Sequence, residues 1–248
     1  YKDRVETKCP VERQCGGCQI QEMRYEAQLA FKQKMVQNNL ERIGGLSDFE
    51  MYPVIGMETP YAYRNKAQFP VGEDKDGNIV IGFYSGRTHH IVEQTDCCIG
   101  APENGEVLRK VRAYMQKNQI RPYNEEHHSG IVRHILIRTG YHTKEIMVCL
   151  IVNAAKASCL KNAEQLTESL REMDGMTSVM VNFNTEKTNV ILGKKSEVLW
   201  GQPYIEDFIG DVKYQISPQS FFQVNPMQTE KLYAKALEYA GLTGNETV

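Results

Sequence analysis

Three closely spaced cysteines constrain this chain more than any other feature of its sequence. Cys9, Cys15 and Cys18 form the pattern Cys-x5-Cys-Gly-Gly-Cys, just ahead of a segment with helical periodicity. Gly16 and Gly17 allow the backbone to turn tightly, so that the flanking sulfurs can face one point. Three thiolates on a short loop indicate a metal site, and a fourth thiolate from elsewhere in the chain would complete it.

The fourth ligand is expected from the adjacent pair Cys97 and Cys98. Four cysteines suit either a zinc ion or an iron–sulfur cluster, and the residues alone leave both open. The five-residue gap between the first two cysteines argues against a radical-generating cluster, in which the first spacing is tighter. Cys149 lies inside an apolar run and is expected to be a small core residue, and Cys159 is expected to be equally remote from the metal.

Composition places the chain among ordinary globular proteins, with 41% apolar and 24% charged residues. No apolar run approaches the roughly 20 residues of a membrane helix, and the polar start has no signal-peptide pattern. We therefore expect a cytoplasmic protein without a membrane partner, whose reduced thiols favour metal over disulfides. A net charge of −2 gives no global attraction to nucleic acid, so any RNA binding requires a local basic face.

Four segments are expected along the chain: a metal-binding loop over 1–20, a long amphipathic helix over 21–45, a central domain over 46–212 and a final segment over 213–248. The central domain is expected to be α+β with a mainly antiparallel sheet, because hairpins alternate with helices. Its helices are expected at 102–117 and 156–173. Its strands are expected at 63–69, 79–84, 131–138, 145–152, 178–183, 189–192, 204–208 and 212–216.

The final segment has a clear helix start. Asn225 can cap a helix that begins at Pro226 and ends at Gly241. Residues 243–248 then resemble the entry to another strand. We therefore expect the chain to stop within a second domain, of which only the first loop and helix are present.

Two further features suggest contacts to RNA. Arg64 and Lys66 share one face of the expected strand over 63–69, and Arg133 offers another cation from the later hairpin, although a solvated sheet face is the alternative. In the loop over 217–226, Phe221 and Phe222 could form a platform on which an unpaired base stacks. The alternative is that both rings fill the core.

Motifs near the two ends of the chain resemble the same protein family. The segment Cys9-Pro-Val-x3-Cys15-Gly-Gly-Cys18-Gln-x-Gln21 and the loop Ser217-Pro-x2-Phe221-Phe-Gln-Val-Asn225 resemble bacterial iron–sulfur RNA (uracil-5-)-methyltransferases. The intervening Tyr63-Arg-Asn-Lys-Ala67 matches as well. The resemblance covers essentially the whole chain, and its cysteine motif is highly specific.

The resemblance implies a [4Fe–4S] cluster held by Cys9, Cys15, Cys18 and Cys97, with Cys98 as a bystander. It implies that Phe221 stacks near a flipped target uridine and that Gln223 touches S-adenosylmethionine. The implied domain of 213–248 is the start of a Rossmann-like methyltransferase domain. Because members that act on transfer RNA typically lack the cluster, 23S ribosomal RNA is the favoured substrate and transfer RNA the second.

The family's reaction begins with a cysteine thiolate that adds to C6 of uracil, after which C5 takes the methyl group and a base removes the C5 proton. The resemblance implies that the glycine-rich cofactor loop, the nucleophile and the base all follow residue 248. No catalytic residue is therefore expected here, and the chain alone is expected to be inactive, whereas the full-length protein is expected to be a monomer. The rival hypothesis is a stand-alone RNA-binding module with a structural four-cysteine zinc site.

Overall fold

A mixed seven-stranded sheet forms the centre of the fold. The computed structural model describes residues 2–247. The strands of this sheet are β1 (Lys66–Glu73), β2 (Ile79–Tyr84), β3 (Ile91–Glu93), β4 (Val132–Thr139), β5 (Ile146–Val152), β6 (Met176–Phe183) and β7 (Lys195–Gly201). Their order is β3-β2-β1-β4-β5-β6-β7, and every neighbouring pair is antiparallel except β5 and β6. The expected α+β class with a mainly antiparallel sheet is therefore confirmed.

Helices and one hairpin surround this sheet. The helices are α1 (Tyr25–Asn38), which continues into a π-helical turn (Asn39–Ile43), α2 (Asn104–Lys117), α3 (Ala163–Arg171) and α4 (Pro226–Ala240). The strands β8 (Ile205–Ile209) and β9 (Val212–Ile216) form a separate antiparallel hairpin. Helix α3 connects the parallel strands β5 and β6, as a parallel pair requires a crossover.

The two faces of the sheet are covered by different elements. Helices α2 and α3 pack on one face, where Phe69, Ile135 and Val148 are fully buried. The hairpin β8–β9 and the loop that follows it pack on the other face, where Leu136 and Met147 are fully buried. Because successive strand residues point to opposite faces, β4 and β5 need apolar residues throughout, and both are almost entirely buried.

Several expected elements match the structure closely. The hairpin β4–β5 and helix α2 lie within two residues of their expected positions. Helix α4 begins at Pro226, with the Asn225 side chain accepting a hydrogen bond from the Gln228 amide at 3.2 Å, and Gly241 ends it in the left-handed conformation. The cap residues therefore define this helix from sequence alone.

Other boundaries differ. The helix expected over 21–45 begins only at Tyr25, because residues 20–23 form a turn in which Met23 pairs with Arg4. The expected strand over 189–192 is wrong: residues 195–201 form the edge strand β7 instead. The helix expected over 156–173 is divided into a short 3-10 turn (Ala157–Cys159) and α3, with Asn162 in the left-handed conformation between them.

The end of the described chain differs as well. Residues 243–247 contain no strand in the structure, because the Glu246 carboxylate accepts hydrogen bonds from the amides of Thr243 and Gly244 and holds a turn. The terminal residues Tyr1 and Val248, which belong to the segments expected over 1–20 and 213–248, lie outside the described residues.

Apolar side chains on α1 and α4 are exposed. Phe31 and Val36 of α1 are each 48% exposed, and Leu232 and Leu237 of α4 are about 60% exposed. No helix within residues 2–247 combines the length and the apolar character needed to cross a lipid bilayer.

Candidate functional site

The clustered cysteines meet at one cavity. Cys9, Cys15 and Cys18 line a cavity of about 350 Å3 together with Cys97 and Cys98. All five are partly buried free thiols. The structure thus brings together the three cysteines of the loop and the pair that lies about eighty residues further on.

Backbone hydrogen bonds hold the two cysteine-containing segments at this cavity. The Gly16 amide donates to the Tyr84 carbonyl at 3.0 Å, and this approach needs glycine because a Cβ at position 16 would lie 3.0 Å from Gly86 Cα. On the other side of the cavity, the amide of Ala62 donates to the Cys98 carbonyl at 2.9 Å. The cysteine loop is therefore joined to the end of β2, and the Cys98 segment to the residues that lead into β1.

The thiols influence one another strongly. Burial raises the pKa of Cys18 to about 11, and the neighbouring Cys97 and Cys15 add to the rise. Burial also raises the pKa of Cys15, with further contributions from Cys9 and Cys97. Cys97 thus raises the pKa of both Cys15 and Cys18, and Cys98 also raises that of Cys18.

Amide groups point at the sulfurs. Gln21 Nε2 lies 3.4 Å from Cys98 Sγ, and Gln94 Nε2 lies 3.7 Å from Cys9 Sγ. The Gly17 amide also donates to Cys15 Sγ, at 3.4 Å. Donors of this kind orient thiolate ligands and stabilise their negative charge, as the groups around a metal's ligands commonly do.

The two expected metals need different ligand arrangements. A single zinc ion needs its ligands on one small tetrahedron, and no three Cys, His, Asp or Glu side chains within residues 2–247 are arranged to hold one ion. A four-iron cluster binds each cysteine through a different iron, so its ligands are spaced more widely around a larger volume. Cysteine thiolates are ligands of both metals, and five cysteines line this cavity.

Positive charge lies beside the cysteines. Arg64 and Lys66 line the same cavity, and Lys66 faces Arg138 across the pairing of β1 with β4. Burial lowers the pKa of Lys66, and the charges of Arg138 and Arg64 lower it further. Arg64 and Lys66 form no ion pair with any acidic group of the described residues, so their charge is available to an anion, whereas Arg138 is only 3% exposed.

Arg133 does not share this role. Its side chain is only 5% exposed, and its guanidinium donates to the backbone carbonyls of Asn184, Glu186 and Thr188 at 2.8–3.3 Å. It also stacks on the Tyr123 ring. The expectation that Arg133 contacts RNA is therefore corrected: this guanidinium holds the segment after β6 against the sheet.

The loop over 217–225 separates its two phenylalanines. Phe222 is 8% exposed and packs with Tyr214 in the core beneath the β8–β9 hairpin, whereas Phe221 is 86% exposed. Phe222 therefore fills the core, whereas Phe221 does not. An exposed aromatic face beside a buried anchor is a surface on which a planar ring can stack.

Two residues from the sheet fix this loop. Asn65 Nδ2 donates to the Gln223 carbonyl at 3.0 Å, and the Asn65 amide donates to the Val224 carbonyl at 3.0 Å. The buried Arg138 guanidinium donates to the carbonyls of Pro218 and Ser220. The Gln223 side chain itself is half-buried and forms no hydrogen bond within residues 2–247.

Sequence reasoning missed Asn65, Gln21 and Gln94 as site residues. The sequence did contain a signal for Asn65. It lies between Arg64 and Lys66, and because neighbouring residues of an extended chain alternate in direction, its side chain points away from theirs. Gln21 was visible in the cysteine motif. Gln94 gave no signal, because only the tertiary fold brings it to Cys9.

Comparison with known proteins shows similarity to RNA methyltransferases. No protein family profile matches the sequence. The chain is 49% identical over 247 residues to an uncharacterized RNA methyltransferase of Halalkalibacterium halodurans, and 47% and 45% identical to proteins of the same description from Bacillus cereus and Clostridium tetani. Each match covers 99% of this chain and 53% of the relative, so the chain spans about half the length of the curated relatives it matches.

A solved structure is similar as well. It is the crystal structure of the Pyrococcus abyssi tRNA (uracil-54, C5)-methyltransferase in complex with S-adenosyl-L-homocysteine. It matches with a TM-score of 0.73 and 27% identity, over 93% of this chain and 52% of the neighbour. The chain is therefore similar, over nearly all of its length, to about half of an RNA methyltransferase.

Proposed function

We propose that this chain is part of an enzyme that methylates C5 of uridine in RNA with S-adenosylmethionine as the methyl donor. The observation that carries the proposal is the loop over 217–225, which exposes Phe221 while Asn65 and Arg138 hold its backbone. The similarity to RNA methyltransferases, one of which is named as a uracil-C5 enzyme, supports the same assignment.

In this proposal each exposed group has a separate task. Phe221 offers its face to an unpaired uracil, because an aromatic ring stabilises a base that has left its stack. Arg64 and Lys66 hold phosphates of the same RNA. Gln223, whose amide has no partner among the described residues, contacts the methyl donor.

The proposed reaction starts with addition of an enzyme thiolate to C6 of uracil, which makes C5 nucleophilic toward the methyl group. A base then removes the C5 proton, and the thiolate leaves. None of the seven cysteines here suits that thiolate. Cys149 is fully buried with its pKa raised to about 12 by burial, Cys159 has its pKa raised by burial, and the other five surround the cavity. We accordingly propose that residues 1–248 alone do not catalyse the reaction.

We further propose that the cavity holds a [4Fe–4S] cluster. Its ligands would be the three cysteines of the loop and Cys97, while Cys98, which also lines the cavity, accepts a hydrogen bond from Gln21. When bound, the cluster would join the loop over 9–18 to the segment that pairs with residues 62–64. That link would hold Arg64 in position for a phosphate.

The substrate we favour is 23S ribosomal RNA, with transfer RNA as the second candidate because the solved neighbour is named as a tRNA enzyme. The test is a methyl-transfer assay with radiolabelled S-adenosylmethionine and the gene product that contains these residues. Unmodified 23S rRNA and unmodified tRNA transcripts compete in one reaction. Label in 23S rRNA supports the favoured substrate, label in tRNA alone selects the second, and label in neither contradicts the proposed function.

A further inference from the structure

A second cavity, of about 400 Å3, lies next to the cysteine cavity. Its walls come from the cysteine loop, helix α1, the segment over 54–63 and the start of α4. Gln21 and Arg64 line both cavities and so form part of the wall between them. Its volume falls within the range of pockets that bind small ligands, roughly 300–1,000 Å3.

The side chains around this cavity have a distinct chemistry. Aromatic rings are provided by Tyr25, Tyr61 and Tyr63, and positive charge by Lys32 and Arg64. The lining contains no aspartate or glutamate, although the whole chain has 31 acidic and 29 basic residues. Neither Lys32 nor Arg64 forms an ion pair with an acidic group in the described part of the chain. The cavity therefore combines flat apolar surfaces with uncompensated positive charge.

Amide groups complete the lining. Five of them contribute: Gln19, Gln21, Gln28, Asn225 and Gln228. Gln21 and Gln228 each have a buried side-chain oxygen that receives no hydrogen bond from residues 2–247. Buried acceptors without donors cost free energy, so a ligand that brings N–H or O–H groups would be favoured here.

The walls are also held rigidly. The Met57 amide donates to Tyr25 Oη at 2.6 Å, and Gln228 Nε2 donates to the Ile55 carbonyl at 2.9 Å. The segment over 54–57 is thereby clamped between α1 and α4. A preformed cavity of this kind loses less entropy when a ligand enters.

We propose that this cavity binds a second unpaired nucleotide of the RNA, separate from the uridine that stacks on Phe221. This inference rests on the proposed function, because it takes the same RNA as its ligand. The tyrosine rings contact the base, the amides bind its polar edge or the ribose, and Lys32 and Arg64 bind the flanking phosphates. The enzyme would then recognise its RNA by two extruded nucleotides, one on Phe221 and one in this cavity.

The role of positive charge at this cavity can be tested with two lysines of α1, one of which serves as the control. Lys32 and Lys34 are both exposed on α1, but only Lys32 lines the cavity, since residues two apart on a helix point in nearly opposite directions. We expect Lys32→Glu to weaken binding of a short single-stranded RNA by about fivefold, the effect of roughly one lost phosphate contact. Lys34→Glu should have a much smaller effect. Fluorescence anisotropy at fixed salt measures both.

Photochemical crosslinking locates the nucleotide. The same RNA carries 4-thiouridine at each position in turn, and crosslinked peptides of the unaltered chain are identified by mass spectrometry. Crosslinks at Tyr25, Tyr61 or Tyr63, distinct from those in the loop over 217–225, are the expected result. Equal effects of the two lysine variants, with crosslinks confined to that loop, would overturn this inference and leave the proposed function intact. Absence of RNA binding by the unaltered chain would overturn both.

Discussion

Asn65 Nδ2 donates a hydrogen bond to the Gln223 carbonyl at 3.0 Å, although 158 residues separate the two in sequence. Asn65 is 9% exposed and lies directly before β1, next to the two cations that line the cysteine cavity. This contact is how the sheet fixes the loop that exposes Phe221. It joins the cationic part of the candidate site to the aromatic part.

Asn65→Ala should loosen that loop. The substitution leaves a carbonyl without its donor, which costs about 1–3 kcal/mol in the free energy of unfolding. Hydrogen exchange should become faster across residues 217–225 while the rest of the sheet remains protected. Asn78→Ala is the control, because the Asn78 amide donates only to Asp74 in an exposed turn. Equal exchange in the two variants would contradict the role of Asn65.

The proposed cluster predicts two groups of cysteine variants. Replacement by serine of any proposed ligand should remove most of the bound iron from anaerobically purified protein, because three thiolates hold a four-iron cluster poorly. The proposed ligands are Cys9, Cys15, Cys18 and Cys97. The control replacements, which should retain iron, are Cys98→Ser, Cys149→Ser and Cys159→Ser. Iron analysis and visible absorbance measure the outcome, and loss of iron in Cys98→Ser with retention in Cys97→Ser would show that the adjacent cysteine is the ligand.

The two cations predict a salt effect. If Arg64 and Lys66 each neutralise one phosphate, changing both to alanine should weaken RNA binding and lower the slope of log K against log salt by about 1.4 for a single strand. Lys156 and Lys161 serve as controls, because both are exposed near α3 and line neither cavity. Titrations at several salt concentrations give the slopes. An unchanged slope in the Arg64 and Lys66 double variant would show that neither residue contacts a phosphate and that both belong to the solvated surface.

His134 predicts the pH dependence of stability. Burial lowers its pKa to about 4, and the charge of Arg133 lowers it further. Between pH 6.5 and 4 the unfolded chain therefore binds a proton that the folded chain does not, so stability falls as the pH decreases, by up to about 3 kcal/mol. Denaturant unfolding of His134→Leu should show a weaker pH dependence across this window. The exposed His127→Leu variant is the control, and an unchanged dependence in His134→Leu would contradict the assignment.

Local signals predicted the parts of the fold that depend on local physics. The cap at Asn225 and the glycine at 241 define α4, and apolar patterning defines the hairpin β4–β5. The edge strand β7 was misplaced because Lys195 and Glu197 interrupt its apolar residues, and its pairing with β6 is a tertiary contact. Arg133 was misassigned because its carbonyl partners lie more than 50 residues away in sequence.

The candidate site was likewise predictable where it depends on local sequence and not where it depends on long-range contacts. The cysteine motif predicted that three thiols would converge, and the structure adds which groups surround them. The separation of Phe221 from Phe222 could not be read from two identical neighbouring residues, because it depends on the hairpin that covers Phe222. Long-range contacts thus decide which polar and aromatic residues are exposed at the candidate site.

Release of tritium from RNA labelled at C5 of uridine tests the central claim most directly. The gene product that contains this chain is incubated with that RNA and S-adenosylmethionine, and both tritium in water and methyl groups in RNA are measured. Methylation at C5 must expel the C5 hydrogen, so we predict tritium release equal to methyl transfer, and a marked loss of both in Phe221→Ala. Methyl transfer with the tritium retained in the RNA would contradict the account.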